Sequence, residues 1–384
     1  MKRRKTYRRA GHDRAATQAI GLGIVGCGNA MDGAYMPVVD RLQQQGKARL
    51  VGVTHTSRRG ARAVMRKWRI PKYFDTLDEL LASDEIDLVV VLTPMTTHAR
   101  LARAALMARK HVLVEKPMAV TLADAKRLLA LAKRVRRHLV CAPFVTLSPT
   151  FNLIRTRLAA GDIGKVCLAR ARYGWSGPDW SEWFYQRGGG PIFDLAVYSL
   201  TTLTALLGPA RRVSAMTGIA QPLRRVRNRT VRARVEDNAQ ITLDFGNSVF
   251  ATVTSGFTMQ KYRSPGIELY GTEGTLQLMG DDWAPDGYEL WRNDAGAWQV
   301  FGETNPHWQW TAGLAHLVNC LLHRERPAVR PEHACHVLEI MLAAQKAGRT
   351  GRAQPIRSRF RLAPLLADAR QGAAAHRIHN RPTD

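Results

Sequence analysis

With 384 residues, 45% of them hydrophobic, the chain has the length and apolar content for two ordinary domains with packed cores, which excludes bulk disorder. Its formal charge is +26, from 57 Lys and Arg against 31 Asp and Glu. That balance raises nucleic-acid binding. Much of the charge, however, is arginine at the two ends and on helix faces opposite leucines, and no helix-turn-helix, zinc-finger or aromatic RNA-binding signature accompanies it, so dedicated nucleic-acid binding is not expected.

The chain opens Met1-Lys2-Arg3-Arg4-Lys5, but polar residues 11–18 stand where an export signal needs its apolar segment. The longest apolar runs, such as Leu88 to Leu92, are strand-sized and far short of the roughly 18 residues of a membrane helix. Cys27, Cys141, Cys167, Cys320 and Cys335 are odd in number and lack a C-x-x-C pair, so neither a disulfide framework nor a zinc site is expected. His333, Cys335 and His336 lie on one helix without a further ligand, and no metal is assigned. These features fit a cytoplasmic protein.

Residues 1–18 and 365–384 read as basic flexible tails. Between Ile20 and Cys141, strands at 20–25, 50–53, 88–92, 111–114 and 138–141 alternate with helices at 34–45, 59–68, 77–82, 100–108 and 122–133. This β-α-β alternation predicts an α/β fold, a doubly wound parallel sheet of Rossmann type over residues 19–142. After Pro143 the pattern changes. A helix at 150–160, a strand at 166–173 and a helix at 193–207 precede strands at 211–219, 237–245, 248–256, 267–270 and 274–278, with a hairpin turn at Gly246-Asn247. Helices at 311–322 and 331–347 follow. Residues 143–364 therefore read as an α+β domain with a largely antiparallel open sheet, one face under helices and the other free for a homo-oligomer contact, dimer or tetramer.

The first strand runs into Gly26-Cys27-Gly28-Asn29-Ala30, and a helix follows. Glycines permit a tight turn and close approach of a pyrophosphate, and the helix N-terminus offers amides and positive dipole. Gly33 falls two residues late for the third glycine of the usual fingerprint, so the strand-turn-helix context carries the dinucleotide assignment. After the second strand comes Thr54-His55-Thr56-Ser57-Arg58-Arg59, with no Asp or Glu between Asp40 and Asp75. Where an acid would bind ribose hydroxyls, Thr56, Ser57 and Arg58 suit a 2′-phosphate, and NADP is favoured over NAD. Thr93-Pro94 with His98 and Glu115-Lys116-Pro117 end the third and fourth strands at the same sheet edge, which makes them further candidates for cofactor contact. The segment holding Tyr173, Trp175, Trp180, Trp183, Phe184, Tyr185 and Arg187 suits the C–H faces and hydroxyls of a small polar substrate, core packing being the competing reading.

Taken together, Gly26 to Asn29, Thr93-Pro94 to His98, residues 108–112, Glu115-Lys116-Pro117, Gly188 to Pro191 with Asp194 and Tyr198, and residues 270–275 resemble the glucose-fructose oxidoreductase / inositol dehydrogenase / rhizopine-catabolism family, Gfo/Idh/MocA. The resemblance implies hydride transfer between a nicotinamide and the hydroxyl or carbonyl carbon of a sugar, polyol or related molecule, with Lys116 catalytic. Many members carry a histidine four residues after the aspartate. Here Tyr198 follows Asp194 at that spacing, as in the tyrosine-bearing branch of the family, and residues i and i+4 share a helix face. The expected roles are Lys116 on the reacting oxygen, Tyr198 as general acid/base with its pKa lowered by the ammonium, and Asp194 orienting Lys116 or a substrate hydroxyl. A non-catalytic NADP-binding regulator or scaffold, with tails contacting nucleic acid or protein, is the alternative.

Overall fold

A computed structural model describes residues 19–263, 266–302, 305, 307–362 and 364, so the two expected tails lie outside the described residues. In chain order the first half holds β1 (Ile20–Val25), α1 (Met36–Gln44), β2 (Ala48–Thr54), α2 (Arg58–Lys67), α3 (Leu77–Ala82), β3 (Leu88–Val91), α4 (His98–Met107), β4 (His111–Val114), α5 (Leu122–Val135) and β5 (Leu139–Cys141). The strands form a parallel sheet in the order β2-β1-β3-β4-β5. β3 is buried along its whole length because helices cover both faces of the sheet, which is why it reads as an unbroken apolar run. α5 shows the helical logic. The Thr121 hydroxyl caps it by accepting from the Asp124 amide, Ala125, Leu128, Leu131 and Ala132 recur at helical spacing on its buried face, and it stops where Arg136 turns left-handed.

The second half holds α6 (Pro149–Ala160), β6 (Val166–Gly174), α7 (Val197–Leu207), β7 (Arg212–Gly218), β8 (Leu223–Val226), β9 (Arg229–Arg232), β10 (Asn238–Gly246), β11 (Val249–Gly256), β12 (Ile267–Gly271), β13 (Gly274–Asp281), β14 (Ala284–Arg292), β15 (Ala297–Gly302), α8 (Gly313–His323), α9 (Pro331–Thr350) and β16 (Gln354–Pro355). Its main sheet has nine strands in the order β15-β14-β13-β12-β6-β11-β10-β7-β16, antiparallel except where β6 and β11 run side by side. Alternation decides its faces. Ala169, Ala171, Val213, Ile241, Leu243, Ala251 and Val253 point into the helix-covered core, while Leu168, Met216 and Phe250 stay exposed on the other side.

Three details depart from the sequence reading. The β10–β11 turn is carried by Asn247 and Ser248, both at positive φ, one residue later than expected. The β8–β9 hairpin and strands β14 and β15 have little apolar alternation and were not foreseen. α8, expected within the second domain, packs on α1 and β1, and its Leu314, Leu317 and Val318 join Leu22, Ile24 and Val39 in one core cluster.

The β8–β9 hairpin is fixed from beneath. Arg224 and Asp237, 5% and 0% exposed, pair at 2.8 Å; Arg224 also donates to the carbonyls of Ser176 and Phe257, and Asp237 accepts from the amides of Ala220 and Gln221. A buried ion pair is tolerable when its remaining donors and acceptors are met in this way, the Arg224 Nε alone finding no hydrogen-bond partner among the described residues. Beside it Val226, Val231 and Ala233 pack on Phe184, Tyr185 and Phe257.

Candidate active site

The loops after β1, β2, β3 and β4 leave the same edge of the parallel sheet, and β1 and β3 lie side by side where the strand order reverses, the place where such sheets bind ligands. Gly26 has φ +101, and a Cβ there would stand 2.8 Å from the Leu92 carbonyl oxygen, so the turn after β1 demands glycine. Gly28 differs. Its side-chain direction meets nothing within 4 Å, and a helix begins immediately after it. An open cradle before a helix N-terminus fits a dinucleotide pyrophosphate. Asn29 and Ala30 form the first helical residues there.

Next to this cradle, Thr56, Ser57 and Arg58 follow β2 and are exposed. The Ser57 hydroxyl accepts from the Gly60 amide at 3.0 Å, capping α2. Arg58 lies 5.1 Å above the Tyr73 ring with its Nε 3.9 Å from Asp75, a carboxylate distant in sequence that the fold brings back to the arginine. After β3 the hydroxyls of Thr93 and Thr97 share a hydrogen bond of 2.6 Å, and Pro94 is exposed.

His98 is corrected from ligand contact to structural tie. It is 1% exposed, and its two ring nitrogens meet the carbonyls of Pro117 and Thr93 at 2.7 and 2.6 Å, so neither is left for a ligand. Burial holds its pKa down against the pull of both carbonyls. Glu115 is likewise buried. It accepts from the Tyr35 hydroxyl at 2.6 Å and from the Lys116 amide at 3.0 Å, and so braces the turn that carries Lys116.

Lys116, Asp194 and Tyr198 come together. The Lys116 Nζ donates to Asp194 Oδ1 and to the Asp194 carbonyl, both at 2.7 Å, with the two side chains 11% and 13% exposed, and it lies 5.2 Å from the Tyr198 ring centroid. Asp194 sits in a π-helical turn, Ile192–Ala196, that opens α7, as Tyr35 sits in one, Met31–Tyr35, that opens α1. Such turns recur at functional sites because the extra residue re-aims side chains.

The Tyr198 expectation needs one correction. Burial, with Glu115, Tyr173 and Asp194 adding to it, pushes the phenol pKa well above its ordinary value and does not lower it. Desolvation of the phenolate outweighs the ammonium, which faces the ring. Tyr198 is therefore held protonated at neutral pH.

The aromatic segment divides. Tyr173 meets Tyr198 edge-on at 5.7 Å and stacks with Trp283 at 6.3 Å, and with Trp175, Tyr262 and Asp281 it lines a cavity of 530 Å³. Trp180 and Arg187 are exposed, and Trp183 stacks on Phe184. Tyr185, expected at the substrate, is 2% exposed; its hydroxyl donates to the Pro178 carbonyl and its ring lies under Arg224, so it belongs to the supporting core. Sequence reasoning passed over Tyr35, Trp283 and Asp282, whose carboxyl, buried and bonded by Thr202, has its pKa raised to about 7. Only the long-range approach of Tyr35 to Glu115 and of Thr202 to Asp282 gives these residues meaning.

A dinucleotide cradle and an ion-paired lysine between two sheets define a nicotinamide-dependent oxidoreductase. Residues 20–142 match the profile of the oxidoreductase family with NAD-binding Rossmann fold, and residues 151–277 match the GFO/IDH/MocA C-terminal domain. The chain belongs to the Gfo/Idh/MocA family. It is 28% identical over 316 residues to 1,5-anhydro-D-fructose reductase of Ensifer adhaerens, covering 80% of this chain and 91% of the relative. It is 25% identical over 275 residues to trans-1,2-dihydrobenzene-1,2-diol dehydrogenase of Sus scrofa, covering 70% and 76%. In fold it resembles an aldose-aldose oxidoreductase from Caulobacter crescentus (TM-score 0.76, 24% identity, 88% of this chain and 99% of that one). It also resembles a levoglucosan dehydrogenase in complex with NADH and levoglucosan (TM-score 0.79, 17% identity, 89% and 100%). Among the described residues no helix is long and apolar enough to cross a membrane, and no group of His, Cys, Asp and Glu is placed to hold a metal.

The two glycines should separate fold from binding. Gly26→Ala forces a clash with backbone at positive φ and is expected to lower the melting temperature, whereas Gly28→Ala should leave it unchanged and weaken nucleotide binding about tenfold or more, read by thermal denaturation and cofactor titration.

Proposed function

We propose that the protein is an NADP-preferring oxidoreductase that interconverts a hydroxyl and a carbonyl on a sugar, polyol or related small molecule in the cytoplasm. The observation that carries this reading is the Lys116–Asp194–Tyr198 cluster at the edge of the cofactor sheet. The names of the relatives, which act on an anhydrosugar and a dihydrodiol, support the substrate class.

When bound, the nicotinamide supplies or accepts the hydride. Gly28 and the helix beginning at Asn29 receive the pyrophosphate, with Thr93, Pro94 and the Glu115-Lys116 turn beside the nicotinamide end. Lys116, oriented by Asp194, directs its ammonium to the reacting oxygen and favours its alkoxide character. Tyr198, held protonated by burial, gives its proton to that oxygen when a carbonyl is reduced, and the resulting phenolate is reprotonated from solvent; alcohol oxidation runs the same steps backwards, the phenol first losing its proton to solvent and then taking the alcohol's. Tyr173, Trp175 and Trp283 offer ring faces and polar edges to the substrate body, and Trp180, Trp183 and Arg187 extend that wall.

Support for NADP comes from the exposed Thr56, Ser57 and Arg58 and the absence of an acid at the end of β2. Because Asp75 already draws on Arg58, the arginine's contribution is discounted to about one decade. Arg58→Ala should weaken NADP about tenfold and NAD hardly at all in parallel titrations; equal losses for both would remove the 2′-phosphate assignment.

The exposed sheet face supports a homo-oligomer. Phe250 pairs with Leu168, Leu168 with Tyr270, and further across the sheet Trp291 with Trp298, which makes an apolar row in which Leu168 is 52% exposed. A charge there would be buried unpaired in an interface, so Leu168→Glu is expected to yield monomers by light scattering without loss of fold. An unchanged mass would place the contact elsewhere.

Tyr198→Phe keeps the ring over which the lysine lies but removes the proton, so turnover should fall by about two to four decades with cofactor affinity retained. Lys116→Met should do similar damage. Since both groups serve one transition state, the double variant should lose much less than the product of the single losses. A Tyr198→Phe protein that melts early yet turns over normally per folded molecule would reduce Tyr198 to a packing residue.

A further inference from the structure

The β8–β9 hairpin concentrates positive charge on a short two-stranded ribbon. Six of the twelve residues 223–234 are arginine, at 224, 225, 227, 229, 232 and 234, and no carboxylate occurs among the twelve. Arg224 is used inside, on Asp237. The other five are exposed, and among the described residues the pair of Arg224 is the only ion pair the hairpin makes. Pairing of Leu223 with Arg232 and of Arg225 with Thr230 puts Arg225 and Arg232 on the outward face, diagonal to each other. Like charges so close on a two-stranded ribbon destabilise it, and the ribbon cannot swing away because Arg224–Asp237 and the Val226–Val231 contacts hold it down.

Its position gives that charge a use. The Gln186 side chain donates to the Arg232 carbonyl and the Arg234 amide to the Tyr185 carbonyl. Two residues beyond Gln186, Gly188 lies against Thr96 of the loop after β3 and against Val120, so the ribbon, exposed Arg187 and the cofactor edge are neighbours. At the hairpin tip the Arg227 amide donates to the Asp179 carbonyl at 2.6 Å, next to Trp180, which is 39% exposed and stacked on Trp175.

We propose that the hairpin is a phosphate-binding arm at the substrate entrance, with Arg225 and Arg232 gripping the phosphate of a phosphorylated substrate, a sugar phosphate or a nucleotide-linked sugar. The guanidinium fork matches phosphate oxygens in pairs, and the bound dianion relieves the crowding of the arm. Trp180 offers a ring face for the group attached to that phosphate. This deepens the oxidoreductase reading and rests on it for the word substrate.

The test is calorimetric titration of the full chain, saturated with NADP so that the cofactor cradle is filled, with glucose 6-phosphate, UDP, inorganic phosphate, glucose and a short DNA duplex. Glucose 6-phosphate or UDP is expected to bind where glucose does not, and which of the two binds tells a sugar phosphate from a nucleotide-linked sugar. Arg225→Glu/Arg232→Glu should weaken that binding about ten- to a hundredfold, with melting temperature and NADP affinity unchanged, while Arg58→Ala leaves it as it was. Equal affinity in the double variant, or no binding of either phosphate ligand, overturns the arm. A duplex bound more tightly than both, and lost in the same variant, replaces it with a nucleic-acid surface. Failure of the wild-type chain to bind either NADP or NAD would strike the oxidoreductase reading alone, since repeating the titrations without nucleotide still reads the arm directly.

Discussion

The structure turns on one ion pair. Lys116 follows the fourth strand of the parallel sheet, Asp194 opens α7 beneath the antiparallel one, and the ammonium takes both the carboxylate and the main-chain carbonyl of the aspartate. Desolvating two charges costs free energy that only complete hydrogen bonding offsets. The groups around the pair hold its geometry. Glu115 and Tyr35 brace the lysine's strand end from one side, His98 ties the turn after it to the loop after β3, and the Tyr198 ring covers the ammonium.

The surroundings of this pair also sort the titratable groups. Burial raises the pKa of the Tyr198, Tyr35 and Tyr173 hydroxyls, so the pocket holds protons on its phenols while keeping one cation fixed by one carboxylate. Tyr198 is the phenol whose ring lies beside the lysine. The core is continuous across the junction, Met118 and Ala119 sharing a cluster with Ile192 and Tyr198, and the geometry is held by packing from both sheets.

Much of this was legible in the sequence for a plain reason: short-range patterns survive without knowledge of the fold. The alternation from Ile20 to Cys141, the glycines of the first turn and the four-residue spacing of Asp194 and Tyr198 are local signals. What failed was long-range. Asp75 lies 17 residues from Arg58 yet returns to it, Tyr185 looks like a ligand platform until Arg224 is placed on it, and His98 looks available until Pro117 and Thr93 take its nitrogens. The phenol pKa was misjudged because sequence places a neighbouring charge but not the solvent removed from around it. Strands β8, β9 and β14 escaped notice because arginine, glycine and acidic residues interrupt the alternation that marks a half-buried strand.

The two π-helical turns place this site at the mercy of chain length. Each holds one residue more than a regular turn would, and each presents its key side chain, Tyr35 or Asp194, from that surplus. Removing one residue from either turn would let the helix close into ordinary α geometry at little cost to itself and with the flanking segments nearly in place, while re-aiming the side chains within the turn. Asp194, which lies inside the second turn, would then lose its aim at Lys116, while Tyr198 in the helix beyond it would stay close to where it is. Substitutions are graded in their effect on such a site, but a single-codon deletion is all or none, so the helix openings at Met31–Tyr35 and Ile192–Ala196 are where this chain tolerates new letters more readily than a missing one.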